Sequence, residues 1–254
     1  MNEIRILPEY ALELWPYYKP YNIRSAIEIS RRAEELRRKY EKILPYGVSR
    51  PWSFGIPRVI RHPSYWSIMT SINEKTKFID LGCGLGSDTR RVVKDGLKKG
   101  NVVGIDIERK FIEIGFELYE DEDIFGDNFM VCDACNTGFP DDHFDIVFSG
   151  SVIHYLSEKE KVLKYLEEAF RILKKPGGIL FGRTLGNDKE VLSKSKGHRT
   201  LFIESSDSLT KYLTDIGFSH VKIKSVRIKK QPREEIKYHL YFLARIISSS
   251  GSLY

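Results

Sequence analysis

The run Asp80-Leu81-Gly82-Cys83-Gly84-Leu85-Gly86 sets three glycines at alternate positions behind a carboxylate. Glycine turns the backbone tightly and lets a ligand approach it with no Cβ in the way. A helix starting just after such a loop would offer unpaired N–H groups to that ligand. Spacing separates the ligand classes. A dinucleotide loop of the G-x-G-x-x-G kind, counted from Gly82, needs glycine at position 87, and Ser87 stands there. Asp106 follows 22 residues after Gly84, where a carboxylate can accept both hydroxyls of a ribose. Asp133 ends a further apolar run and can accept a hydrogen bond from an adenine amino group. His154 lies in SGSVIHYL just past the next run. An imidazole there could take a proton from an acceptor hydroxyl during group transfer, or it could simply shape the pocket.

Other candidates carry less chemistry. Cys132-Asp-Ala-Cys135 is a C-x-x-C, but no second pair exists to complete a tetrahedral metal site, so it reads as structural. No metal is required. Arg58 and Arg61 could hold the carboxylate of a bound cofactor or lie on the surface. Residues 185–202 show no period and contain Lys189, Lys194, Lys196, His198 and Arg199, which reads as a long basic loop able to act as a lid.

The elements needed to position these residues follow from the pattern. Short apolar runs at 77–82, 102–106, 128–132, 144–149 and 178–183 read as strands, with helices at about 87–98, 109–118 and 158–173 between them. Near-continuous apolar strands separated by helices imply a parallel sheet covered on both faces, with ligands at its carboxyl edge. A helix over 206–216 precedes strands at 221–228 and 236–246, whose connection is too short for a helical crossover, so these pair antiparallel. Residues 1–70 differ. A helix over 23–44 has apolar residues at helical spacing, and a short helix follows at 63–72. Trp15, Tyr17, Tyr18, Tyr21, Trp52, Phe54, Tyr65 and Trp66 make this an aromatic helical cap or extension, leaving 71–254 as the main domain.

Composition sets the limits. A chain of 254 residues with 41% hydrophobic and 12% aromatic residues can bury a core, which excludes a disordered or fibrous protein. No stretch has the ~18 consecutive apolar residues of a membrane span, the first residues lack a signal-peptide pattern, and three cysteines are too few for a disulfide scaffold. A reduced, cytoplasmic, soluble protein is expected. The net charge of +6 comes from interspersed acids and bases, as in Arg31 to Arg38, which reads as helix salt bridging more than as a nucleic-acid surface.

The stretches FIDLGCGLG (78–86), VVGIDI (102–107), CDA (132–134), FDIVFSGSVIHYL (144–156), LKKPGGILF (173–181) and DIGF (215–218), with the terminal hairpin, together resemble the class I S-adenosylmethionine-dependent methyltransferases. The likeness is greatest to the ubiquinone-biosynthesis (type 11) branch. GCGLGSDTRRVVKDG followed by FIEIGFELYEDEDIF is similar to fungal polyketide and meroterpenoid O-methyltransferases. The resemblance implies a Rossmann-like sheet of seven strands, mostly parallel, ending in an antiparallel hairpin. It implies S-adenosylmethionine as cofactor. Asp80 with Gly82, Cys83, Gly84 and Gly86 would hold its methionine part, Asp106 beside Ile107 its ribose, and Asp133 with Ala134 its adenine. Ser149 and Gly150 would flank the sulfonium. The expected reaction is methyl transfer to a small-molecule acceptor, at oxygen, with His154 as the candidate base; a carboxylic acid acceptor would need none. Two alternatives are an RNA or protein methyltransferase and an inactive cofactor-binding partner subunit. No Asn-Pro-Pro-Tyr-like motif follows the fourth strand and no separate RNA-binding module fits, which disfavours the first; the intact acids and glycines disfavour the second.

Overall fold

The computed structural model describes residues 35, 36, 38, 39, 57–194, 200–229 and 233–247. In chain order the strands are β1 (Phe78–Leu81), β2 (Val102–Asp106), β3 (Phe129–Val131), β4 (Ile146–Gly150), β5 (Ile179–Gly186), β6 (Val191–Ser193), β7 (Leu201–Ile203), β8 (His220–Arg227) and β9 (Tyr238–Arg245). The α-helices are α1 (Tyr65–Met69), α2 (Ser87–Lys94), α3 (Arg109–Tyr119), α4 (Glu122–Phe125), α5 (Lys159–Ile172) and α6 (Ser206–Ile216). Seven strands form one sheet in the order β3-β2-β1-β4-β5-β9-β8. The first five run parallel, and β9 runs antiparallel to both β5 and β8. This is the expected fold class.

Strand periodicity builds two cores, because successive side chains leave opposite faces of the sheet. Phe78, Ile146, Phe148, Ile179 and Phe181 enter one cluster with Val59, Tyr65, Ile68 and Val92 from the preceding chain and α2. Ile79, Leu81, Val147 and Leu180 enter the other with Val162, Tyr165, Leu166 and Ala169 of α5 and Leu209 and Leu213 of α6. Helix α6 starts on a reciprocal pair of bonds between Ser205 and Ser208 and ends at Gly217. Parallel pairing of β4 with β5 sets Ser149 opposite Gly182 and Gly150 opposite Arg183. Gly182 is required there, since a Cβ would lie 2.2 Å from the Ser149 carbonyl oxygen.

The structure departs from the sequence expectation in three places. The helix expected over 87–98 ends at Lys94, as the chain turns at Gly96 with φ of 121°. Residues 185–202 are not a simple loop: β5 runs on to Gly186, and β6 and β7 pair antiparallel. Strands of three residues are too short to show a period. They are held by Leu201 and Ile203 packing with Ile236. Glu204, at the end of this hairpin, is fully buried with both carboxylate oxygens unpartnered, and burial raises its pKa to about 8. The third departure is α4, whose single turn gave no periodic signal. Of the helix expected over 23–44, residues 35, 36, 38 and 39 are helical and the rest lies outside the described residues. Trp15, Tyr17, Tyr18, Tyr21, Trp52 and Phe54 lie outside them too; Tyr65 is buried and Trp66 is exposed.

Candidate active site

The carboxyl ends of β1, β2, β3, β4 and β5 open into one cavity of about 420 Å³. The glycine loop forms its floor. Gly82 and Gly86 have φ of 79° and 72°, a conformation that side-chained residues seldom adopt. A Cβ on Gly82 would lie 2.4 Å from Val152 Cγ2, and one on Gly86 would meet the Phe129 ring at 2.4 Å. The amides of Gly82 and Cys83 both donate to the Ile105 carbonyl at 2.8 Å, tying the loop to β2.

Beneath the loop lies a buried cation. Arg90 forms a two-pronged ion pair with the fully buried Asp121, through Nε and Nη2 at 2.7 Å each, and donates from Nη1 to the Leu85 carbonyl at 2.8 Å. Its guanidinium lies 4.3 Å from the Tyr119 ring centroid and 4.7 Å from that of Phe129. Aromatic faces attract such a cation, so Arg90 pins the loop from below.

Asp106, at the end of β2, accepts from the Gly84 amide at 2.8 Å with Oδ2 and from the Glu108 amide at 2.9 Å with Oδ1. A carboxylate has about four acceptor sites, and these two amides fix how Asp106 is turned toward the cavity. Ile107, 71% exposed, lines the cavity beside it. Asp133 accepts from the Cys135 amide at 2.8 Å and lines the wall with Ala134.

Three of the expected residues are not on the cavity wall. Asp80 is buried behind the loop, where Thr89 donates to it at 3.1 Å; burial, then the charge of Asp88, push its pKa well up. Gly86 caps α2. The Ser149 hydroxyl accepts from Tyr165 at 2.7 Å, on the face away from the cavity, while Gly150 lines the wall. Cys132 and Cys135 are free thiols, as is Cys83.

At the β4–β5 end the wall changes character. Arg58, Ser151, His154, Tyr155, Arg183 and Leu185 line it. Asp88 accepts from the Arg58 and Val59 amides at 2.5 and 2.7 Å, fixing this segment to α2. Arg58 Nη1 then donates to the Gly150 carbonyl at 3.1 Å. Arg61 is exposed. His154, in the 3-10 turn Ile153–Tyr155, is buried; its Nδ1 lies 3.1 Å from Thr184 Oγ1 and accepts from the Leu185 amide at 3.4 Å. Burial, then the nearby Arg183 and Arg58, hold its pKa well below the usual value. The sequence reading missed Arg183 and Asp88. The signal for Arg183 was a lone charge at the carboxyl end of the apolar run ILFGR.

Residues 79–182 match the family described as a methyltransferase domain. That segment is a methyltransferase domain. Its relatives include the fungal O-methyltransferase phiE, 28% identical over 60% of this chain and 53% of that protein. The methyltransferase ausD of Penicillium brasilianum is 25% identical over 81% of this chain and 76% of that protein. The matched part spans about half the length of phiE and of the O-methyltransferase atr3 of Stereocaulon alpinum. Among solved structures, a Burkholderia thailandensis 1,6-didemethyltoxoflavin-N1-methyltransferase holding its substrate and S-adenosylhomocysteine shares the fold. Its TM-score is 0.60 at 16% identity, over 84% of this chain and 88% of that one.

Proposed function

We propose that this chain transfers a methyl group from S-adenosylmethionine to an oxygen of a small-molecule acceptor. The observation that carries this reading is the cavity itself: the glycine loop, Asp106 and Asp133 stand along one wall of an enclosure sized for a nucleoside and a modest second reactant. The sulfonium supplies the activation, so this chain's residues chiefly orient two reactants and exclude water. In this reading Asp106 and Ile107 hold the ribose, Asp133 and Ala134 the adenine, and Gly82, Cys83 and Gly84 the methionine part. Asp80 and Gly86 support that loop from behind, and Ser149 and Gly150 set the end of β4. The relatives' printed names, two of them O-methyltransferases, support oxygen as the target. Residues 1–70 act as the cap, a reading supported by Arg58 on the cavity wall. No described helix is long and apolar enough to cross a membrane, and the three free thiols suit the cytoplasm.

Incubating the protein with a cell extract and isotope-labelled cofactor tests this by mass spectrometry. A labelled small molecule supports it. Label in RNA or protein, or no label at all, overturns it in favour of a polymer methyltransferase or an inactive partner subunit.

A further inference from the structure

Arg183 is a half-buried cation that meets no carboxylate at hydrogen-bonding distance among the described residues. Its Nε and Nη2 donate to Ser151 Oγ at 3.2 and 2.8 Å, and its third partner is the Tyr241 side chain. Register sets Tyr241 opposite Arg183 and His239 opposite Leu185, so one face of β5 and β9 gathers these groups. Arg58 lies close enough to push on Arg183 electrostatically and lines the same wall. The acid facing both is Asp88, whose Oδ1 is already engaged by two backbone amides.

Two guanidinium groups on one wall call for an anion in the cavity. The sheet order places it. Asp133, Asp106 and Gly82 stand at the ends of β3, β2 and β1, while Arg183 lies two strands beyond β1, past β4. It therefore faces the end away from the nucleoside.

His154 completes the site. The Leu185 amide donates to Nδ1, which assigns the ring proton to Nε2 and makes that atom a donor. Protonating the ring would add a third cation beside Arg183 and Arg58, with His239 close by. A base is poorly served by that setting.

We propose that the acceptor binds as an oxyanion held by Arg183 and Arg58, with His154 Nε2–H as a further donor, and that no side chain takes up a proton. This rests on the methyl-transfer reading above. The oxyanion supplies the electron pair for the new O–CH3 bond, the C–S bond breaks, and its pair stays on sulfur. An anion and a sulfonium cation become two neutral groups, so nothing must be carried away.

Calorimetry with the full chain saturated in S-adenosylhomocysteine tests this, using benzoate, 4-nitrophenolate and the uncharged benzamide as probes. At least one anion should bind tenfold or more tightly than benzamide. Carboxylate and phenolate preference is read from which one does. Arg183→Met should abolish that difference, and Arg183→Lys should keep part of it, with S-adenosylhomocysteine affinity within twofold in both. Equal binding of benzamide, or no binding of either anion, overturns the proposal. So does loss of S-adenosylhomocysteine affinity in Arg183→Met, which would assign the arginine to the cofactor carboxylate. Failure of the unmodified chain to bind S-adenosylhomocysteine removes the underlying methyl-transfer reading as well.

Discussion

The two ends of the cavity use opposite charges and different scaffolding. At the β3–β2–β1 end, Asp106 closes β2 and Asp133 follows β3, and backbone amides orient their oxygens. At the β4–β5 end, Arg183 and Arg58 are positioned by a strand and by the chain entering the fold, and hydroxyls and a carbonyl orient them. The difference teaches where specificity resides. A nucleoside bound as proposed would be recognised by local loop geometry. Whatever enters opposite it would meet side chains set by long-range packing, and β7 packs against the His154 turn behind them.

The contrast breaks most sharply below the glycine loop. Arg90→Leu leaves Asp121 buried without its partner, and removing one member of such a pair costs about 3–5 kcal/mol. Urea unfolding should show a loss of that size; an unchanged midpoint would mean the loop stands without its aromatic-walled cation. Next, Asp106→Ala removes the ribose acceptor and frees two amides. It should weaken S-adenosylhomocysteine by on the order of 2 kcal/mol, or ~30-fold, in calorimetry. An unaltered dissociation constant would take Asp106 out of the cofactor end.

Two further changes sharpen the comparison. Glu204 is a carboxyl group whose pKa rises to about 8 on folding, so the folded chain holds its proton after the unfolded chain has released it. Its contribution to stability therefore falls as pH climbs from the unfolded carboxyl value of about 4.3 through about 8, and is level above that. Thermal melts across this window should show the decline, and Glu204→Gln should flatten it. Tyr165→Phe should be the mildest change. It removes the donor to Ser149 Oγ and to the Leu81 carbonyl, worth about 1 kcal/mol by chemical denaturation. A much larger loss would show that this bridge between β1 and β4 also holds the cavity wall.

What the sequence revealed followed from locality. FIDLGCGLG and VVGID carry their own strands and turns, so β1, β2 and the loop between β1 and α2 were readable to within a residue or two. The antiparallel β8–β9 pair was readable because its short connection excludes a helix. Arg183 was not, because its significance depends on β9 and on Arg58, which lie far away in sequence. Ser149 shows the reverse difficulty. The sequence places it at the right strand end, but only the packed Tyr165 reveals which way its hydroxyl turns. For His154, position was legible and protonation was not, since burial and two arginines set the latter.

The pairing of Gly182 with Ser149 has a consequence for how such an enzyme could change its taste. Side chains on a strand alternate between faces, so a slip of β5 by one residue would turn Arg183 away from the cavity. The absent Cβ at Gly182 makes that slip sterically costly, because any replacement residue would strike the Ser149 carbonyl. The charge at this end of the chamber is thus tied to the register of the sheet. Altering the charge would require editing the sheet itself.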